Sequence, residues 1–154
     1  MSLAPPSRYR HSVIAHVMVN DATAAIQFYR SAFGAKELFR ISGPDGTIIH
    51  AEIQIERSIV MVGDASEPFR DAQSLGGTCV GLHIYVQNVD LTSQKALAAG
   101  AVELQPLQDM FYGARQTTVR DPFGHIWVLL THQEDVTPED IASRAEKLFS
   151  GNGE

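Results

Sequence analysis

The chain has 154 residues, of which 44% are hydrophobic and 19% are charged, and its formal net charge is −6. This composition is typical of a soluble globular protein, since no apolar run approaches the roughly 18 residues that a membrane span needs. The negative charge and the lack of a lysine or arginine cluster in the sequence argue against nucleic acid as a partner. The first residues show no secretion signal, and the single cysteine, Cys79, cannot form an internal disulfide. We therefore expect a cytoplasmic protein that binds neither membranes nor nucleic acid, with Cys79 as a small buried residue.

The first predicted module occupies residues 10–64 and has the order βαβββ. Ser12 to Val19 is a β-branched run, and Asn20-Asp21 can cap a helix whose apolar residues recur at helical spacing. Gly34 stands where helices commonly end in a left-handed residue. Three strands are predicted after it, within residues 36–62. In the middle one, Ile49, Ala51, Ile53 and Ile55 are predicted to pack under the helix, and Ile48, His50, Glu52 and Gln54 to face the other way.

The same order of elements returns after a polar connector at residues 65–79. The second module spans residues 80–132 and ends in two strands joined by Asp121-Pro122-Phe123-Gly124, whose proline and glycine favour a hairpin turn. His16-x-x-Val19-Asn20 and His83-x-x-Val86-Gln87 fall at matching points of the two modules. A final helix is predicted at residues 137–150, with a buried stripe formed by Ile141, Ala145, Leu148 and Phe149. Together these elements predict one α+β domain.

Five motifs stand out along the chain: Ile26-x-Phe28-Tyr29-x-x-Ala32-Phe33-Gly34-Ala35, His50-Ala51-Glu52, Leu82-His83-x-Tyr85-Val86, Tyr112-Gly113-x-Arg115 and Asp121-Pro122-Phe123-Gly124-His125-x-Trp127. Together they resemble the motifs of the vicinal oxygen chelate superfamily, which includes glyoxalase I, extradiol dioxygenases and bleomycin resistance proteins. Within it, the sequence is most similar to PhnB-like and antibiotic-resistance-like members. The resemblance implies two paired βαβββ modules that form a curled sheet around a cavity, plus a C-terminal helix. It also implies a homodimer, which the open strand edges of each module favour.

The family's usual metal positions fall near Ile14, Met61, Gly81 and Val128 when the resemblance is followed residue by residue. None of these side chains is a good ligand for a divalent cation, so we expect no metal and no other cofactor. Polar residues nearby are still predicted to face the cavity, and convergent polar groups in an apolar concavity mark binding sites. The candidate ligand-binding residues are His16, His50, Glu52, His83, Tyr112 and Arg115.

Each candidate also has a structural interpretation. The histidines can be ordinary sheet residues bonded to a hydroxyl, Arg115 can brace the hairpin through backbone carbonyls, and Tyr112 can cover the cavity mouth. Trp127 is expected to pack beneath a helix.

Two functions remain open from the sequence. In the favoured one, the protein binds a mid-sized organic molecule without a catalytic metal. In the alternative, His16, Glu52 and His83 hold a divalent metal, and the protein is a lyase, isomerase or dioxygenase. The favoured function does not need a metal-binding side chain at positions 14, 61, 81 and 128.

Overall fold

The structure is a computed structural model that describes residues 4–9, 11 and 13–151. The first module contains β1 (His16–Val19), α1 (Ala22–Phe33), β2 (Lys36–Ser42), β3 (Ile48–Ile55) and β4 (Ser58–Asp64). A one-turn helix, α2 (Ala72–Leu75), lies in the connector. The remaining elements are β5 (Gly81–Tyr85), α3 (Val89–Ala98), β6 (Val102–Met110), β7 (Ala114–Arg120), β8 (Ile126–His132) and α4 (Pro138–Ser150). Residues 10 and 12, at the start of the predicted first module and strand, lie outside the described residues.

The strands form two mixed four-stranded sheets, with the orders β1-β4-β3-β2 and β5-β8-β7-β6. The pairs β1–β4 and β5–β8 are parallel, and the other neighbouring strands pair antiparallel. Each sheet is therefore the product of one βαβββ module, which confirms the predicted α+β fold. The sheets are curled and do not close, and β1 and β5 are edge strands of separate sheets rather than neighbours in one.

Local sequence signals fix the ends of α1 and the hairpin between β7 and β8. The Asp21 side chain accepts a hydrogen bond from the Ala24 N–H at the start of α1, and Gly34 ends the helix with φ of +67°. In the hairpin turn, Gly124 has φ of +92°, and the Asp121 carboxylate accepts the backbone N–H groups of Phe123 and His125. The caps and the turn are thus confirmed where the sequence predicted them.

A single hydrophobic core runs through both modules. Helices α1 and α3 lie against each other, and each one covers a face of its own sheet. Trp127 is buried, with its ring centroid 4.9 Å from that of Phe33, so the prediction that it packs beneath a helix is confirmed. The opposite face of each sheet, which we call the open face, is covered by neither α1 nor α3 and carries His16 on β1 and His83 on β5.

A buried hydrogen-bond cluster around Asp121 joins the two modules. The Tyr29 hydroxyl on α1 and the Trp127 indole N–H on β8 both donate to Asp121 Oδ2, at 2.7 and 2.9 Å. With the two backbone bonds of the turn, this carboxylate has four donors. Burial, followed by the nearby Asp121 charge, raises the pKa of Tyr29 well above its usual value, so the hydroxyl stays a donor at physiological pH.

Three local predictions about burial are wrong. The apolar stripe of α4 is not buried, since Leu148 and Phe149 are exposed and the helix is anchored by Arg144 to Glu134 and to the Phe111 carbonyl. At the start of β3, Ile49 is 61% exposed and Ile48 is buried, because the pairing of β2 with β3 shifts register there and leaves Ile49 out of the ladder. Cys79 is exposed because it precedes β5 instead of lying in it.

Candidate functional site

A cleft of about 790 Å³ lies between the two modules. Its apolar wall combines Ile59 and Val60 of β4 with Leu82 and Ile84 of β5, together with Trp127. Its polar lining includes Arg8, Tyr9, Arg57, His83, Thr131 and His132. This volume lies in the range of pockets that hold small organic molecules, which combine apolar walls with a few polar groups.

Next to the cleft, the buried Glu52 on β3 forms an ionic cluster with Arg8 and Tyr9 of the N-terminal segment, residues 4–9. Its side chain lies on the open face, because the flanking Ala51 and Ile53 are buried on the helix side. Glu52 is 1% exposed, Arg8 Nε donates to its Oε2 at 2.8 Å, and the Tyr9 hydroxyl donates to its Oε1. Burial acts to raise the pKa of Glu52, but the hydrogen bonds from Arg8 and Tyr9 outweigh it and the net pKa is lowered. The carboxylate therefore stays charged at neutral pH.

Two of the predicted histidines adjoin this cluster. His50 Nε2 lies 3.7 Å from Glu52 Oε1, and the His16 and His50 ring centroids are 5.6 Å apart. Burial, together with the neighbouring His50, lowers the pKa of His16, which favours its neutral form. The structure thus brings His16, His50 and Glu52 together on the open face of the first sheet.

His83 and Tyr112 lie in the second module, apart from that group. His83 is on the edge strand β5, opposite Val128 of β8, and it lines the cleft. The Tyr112 hydroxyl donates to the side-chain oxygen of Gln116, which is 8% exposed. Burial, with a contribution from Tyr85, raises the pKa of Tyr112, so the neutral phenol is the form present. A ligand-binding role for His83 and Tyr112 stays a prediction.

Arg115 takes part in surface ion pairs. Its Nε donates to Asp90 Oδ2 at 2.9 Å and its Nη1 donates to Asp109 Oδ1 at 3.2 Å. The hydrogen bonds that Arg115 donates to Asp90, and then to Asp109, raise the pKa of Arg115. These bonds go to carboxylates of α3 and β6, and not to the backbone carbonyls of the bracing interpretation. Its role toward a ligand stays a prediction.

The described residues do not bring together the ligand set of the metal-dependent alternative. In residues 4–9, 11 and 13–151 there is no group of three or more His, Cys, Asp or Glu side chains that could hold a metal ion. Both Glu52 oxygens are already hydrogen-bonded to Arg8 and Tyr9. The absence of a metal stays a prediction.

Sequence reasoning missed two residues of the site, Arg8 and Tyr9. They precede the first predicted strand and belong to no periodic pattern. The one signal that could have found them is the predicted inward-facing Glu52, because a buried carboxylate requires a charged or hydrogen-bonding partner. That requirement does not say where in the chain the partner lies.

The chain is similar to known proteins in sequence and in fold. The sequence model of the Glyoxalase/Bleomycin resistance protein/Dioxygenase superfamily matches residues 11–129. An uncharacterised protein of Mycobacterium bovis is 42% identical over 143 residues, which cover 90% of this chain and 93% of that protein. The crystal structure of TioX from Micromonospora sp. ML1 is 33% identical, with a TM-score of 0.63, and the match covers 82% of this chain and all of TioX.

A PhnB protein from Bacillus cereus has the same fold, with 20% identity and a TM-score of 0.62 over 79% of this chain and 99% of that one. The chain therefore belongs to the glyoxalase/bleomycin resistance protein/dioxygenase superfamily, as its motifs predicted. Within the described residues, no helix is both long enough and apolar enough to cross a membrane.

The lowered pKa of Glu52 predicts a specific pH dependence of stability. Its folded pKa lies below the ordinary 4.5, so between these two values the unfolded chain holds more protons and raising the pH favours folding. This contribution is complete above pH 4.5 and is lost as the pH falls through the folded pKa. The Glu52→Gln variant has no titrating carboxyl at this position and lacks this contribution. We therefore expect the difference in free energy of unfolding between wild type and Glu52→Gln, measured in urea, to decrease as the pH falls below 4.5. A difference that does not change with pH would contradict the lowered pKa of Glu52.

Proposed function

We propose that the protein binds a mid-sized organic molecule in the cleft between its two modules and does so without a catalytic metal. The observation that carries this proposal is the composition of the cleft wall, to which both modules and the N-terminal segment contribute. Apolar side chains such as Ile59 and Leu82 supply the area that drives binding, and His83 and Tyr9 supply hydrogen bonds that orient the ligand. Membership of a superfamily whose description includes bleomycin resistance proteins supports sequestration as the biological role.

Aromatic side chains around the cleft favour an aromatic or amphipathic ligand over a sugar. Tyr9, Tyr85 and Trp127 all contribute to the lining, and aromatic rings contribute large contact areas with few rotatable bonds. The metal-dependent alternative, with His16, Glu52 and His83 as ligands, has less support. Among the described residues no three His, Cys, Asp or Glu side chains come together as a metal site, and the Glu52 oxygens are already hydrogen-bonded.

Ligand binding in the cleft predicts a matched pair of variants. Ile59→Arg places a long charged side chain in the cleft wall, whereas Ile49→Arg alters a side chain that is 61% exposed and outside the cleft. We expect a library of aromatic natural products and antibiotics to contain ligands that raise the unfolding midpoint and change the fluorescence of Trp127, the one tryptophan of the chain. Ile59→Arg is expected to abolish both effects and Ile49→Arg to preserve them. Ligands that still bind to Ile59→Arg with wild-type affinity would place the site elsewhere.

We also propose that the protein is a homodimer and that it works in the cytoplasm. The edge strands β2 and β6 expose apolar side chains, among them Leu38 at 37%, Ile41 at 52% and Val102 at 50%. Exposed apolar strand edges favour pairing with another chain, and the commonest partner is a second copy of the same chain. Light scattering is expected to give twice the 16.8 kDa chain mass. A mass of one chain at micromolar concentration would overturn the dimer.

A further inference from the structure

The buried Glu52 carboxylate depends on a short N-terminal segment for its charge balance. Arg8 and Tyr9 reach it across 44 and 43 positions of sequence. In the part of the chain that the structure describes, both hydrogen bonds from residues 4–9 to the sheet end on Glu52. The one backbone bond of the segment, from the Tyr9 N–H to the Pro6 carbonyl, is local. Among the described residues, Glu52 thus accepts the side-chain hydrogen bonds by which residues 4–9 attach to the sheet.

The surroundings of Glu52 have the composition of a site for an organic cation. The Arg8 guanidinium lies 4.5 Å from the Tyr9 ring centroid and 5.9 Å from the Phe39 ring centroid. Rings that contact one another continue from Phe39 across the open face, with centroid separations of 5.8, 5.6 and 6.3 Å along the order Phe39, His50, His16 and Phe69. A carboxylate beside aromatic faces attracts cations both by charge and by cation–π interaction.

The position of Arg8 and Tyr9 connects this site with the cleft. Both residues line the cleft and also bond to Glu52, so they separate the carboxylate from the cleft. The Arg8 side chain is 42% exposed, so it can leave Glu52 without opening the core, whereas Glu52 is 1% exposed and a buried carboxylate without a cation is strongly destabilising. Displacing the segment therefore opens the cleft toward Glu52 only when another cation replaces Arg8.

We propose that Glu52 and the Phe39–His50–His16 rings form a binding site for an organic cation that carries an aromatic ring, and that Arg8 and Tyr9 occupy this site in the unliganded protein. This inference rests on the proposed function and specifies the ligand as an aryl guanidine, amidine or amine. The ligand's cation takes the place of the Arg8 guanidinium on Glu52, and its ring takes the place of the Tyr9 ring beside that cation. The N-terminal segment therefore acts as an internal competitor that weakens binding.

The test uses two probes of the same shape that differ in charge, phenethylguanidine and the neutral phenethylurea. Isothermal titration of the full chain is expected to detect binding of the guanidine and none of the urea. Arg8→Ala removes the competitor, so it is expected to tighten guanidine binding by about tenfold or more, as follows when a closed state is the main population. Arg30→Ala, which removes another surface arginine paired with a carboxylate, is expected to leave binding unchanged.

Glu52→Gln is expected to abolish binding of the guanidine, whereas Glu37→Gln, a change at an ion-paired carboxylate of β2, is expected to preserve it. If Glu52→Gln fails to fold, the Arg8→Ala measurement decides. Weaker or unchanged binding by Arg8→Ala, or equal binding of guanidine and urea, would overturn the proposal. If phenethylguanidine fails to bind while library ligands still alter Trp127 fluorescence, this inference alone is lost. If no organic ligand binds at all, the proposed function is lost with it.

Discussion

The arrangement of the two modules depends on the buried Asp121 carboxylate. This side chain is 3% exposed and accepts four hydrogen bonds, two from its own turn and two from the Tyr29 and Trp127 side chains. Hydrogen bonds to charged groups stabilise folded proteins by about 1.5–3 kcal/mol each, and a buried charge without partners is strongly destabilising. Because Tyr29 lies on the helix of the first module, satisfying Asp121 fixes that helix against the second. The walls of the cleft are held in place by the same contact.

Glu52 provides an instructive contrast within the same chain. Both carboxylates are almost fully buried and both are hydrogen-bonded, but their partners differ in kind. The donors to Asp121 belong to a helix, a strand and a tight turn, which cannot move without opening the core. The donors to Glu52 belong to the N-terminal segment that precedes β1. Asp121 therefore stabilises the fold, whereas the Arg8 partner of Glu52 can be replaced by a ligand.

The features that the sequence predicted correctly are those that neighbours in the chain determine. The Asp21 cap, the left-handed Gly34 and the turn that ends at Gly124 involve residues within a few positions of one another. The alternation in β3 likewise placed Ala51 and Ile53 toward the helix. Recognising the motifs then supplied the pairing of the modules, which local patterns do not specify.

The features that the sequence did not predict depend on distant partners. Tyr29 and Asp121 are 92 positions apart, and nothing in the local pattern of either residue identifies the other. Amphipathicity correctly predicted that α4 is a helix, but the pattern does not say which surface covers its apolar side, and Phe149 is 68% exposed. Arg8 was missed as a site residue for the same reason, because its partner Glu52 is determined by the path of the N-terminal segment across the sheet.

A ligand in the cleft between the modules contacts both of them, and amide chemical-shift mapping of the labelled full chain with a ligand found by screening detects those contacts. We expect the largest shifts on cleft residues of both modules, such as Ile59 and His83, with further shifts at Tyr9. Shifts confined to one module, or centred on the surface ion pairs of Arg115 with Asp90 and Asp109, would contradict it.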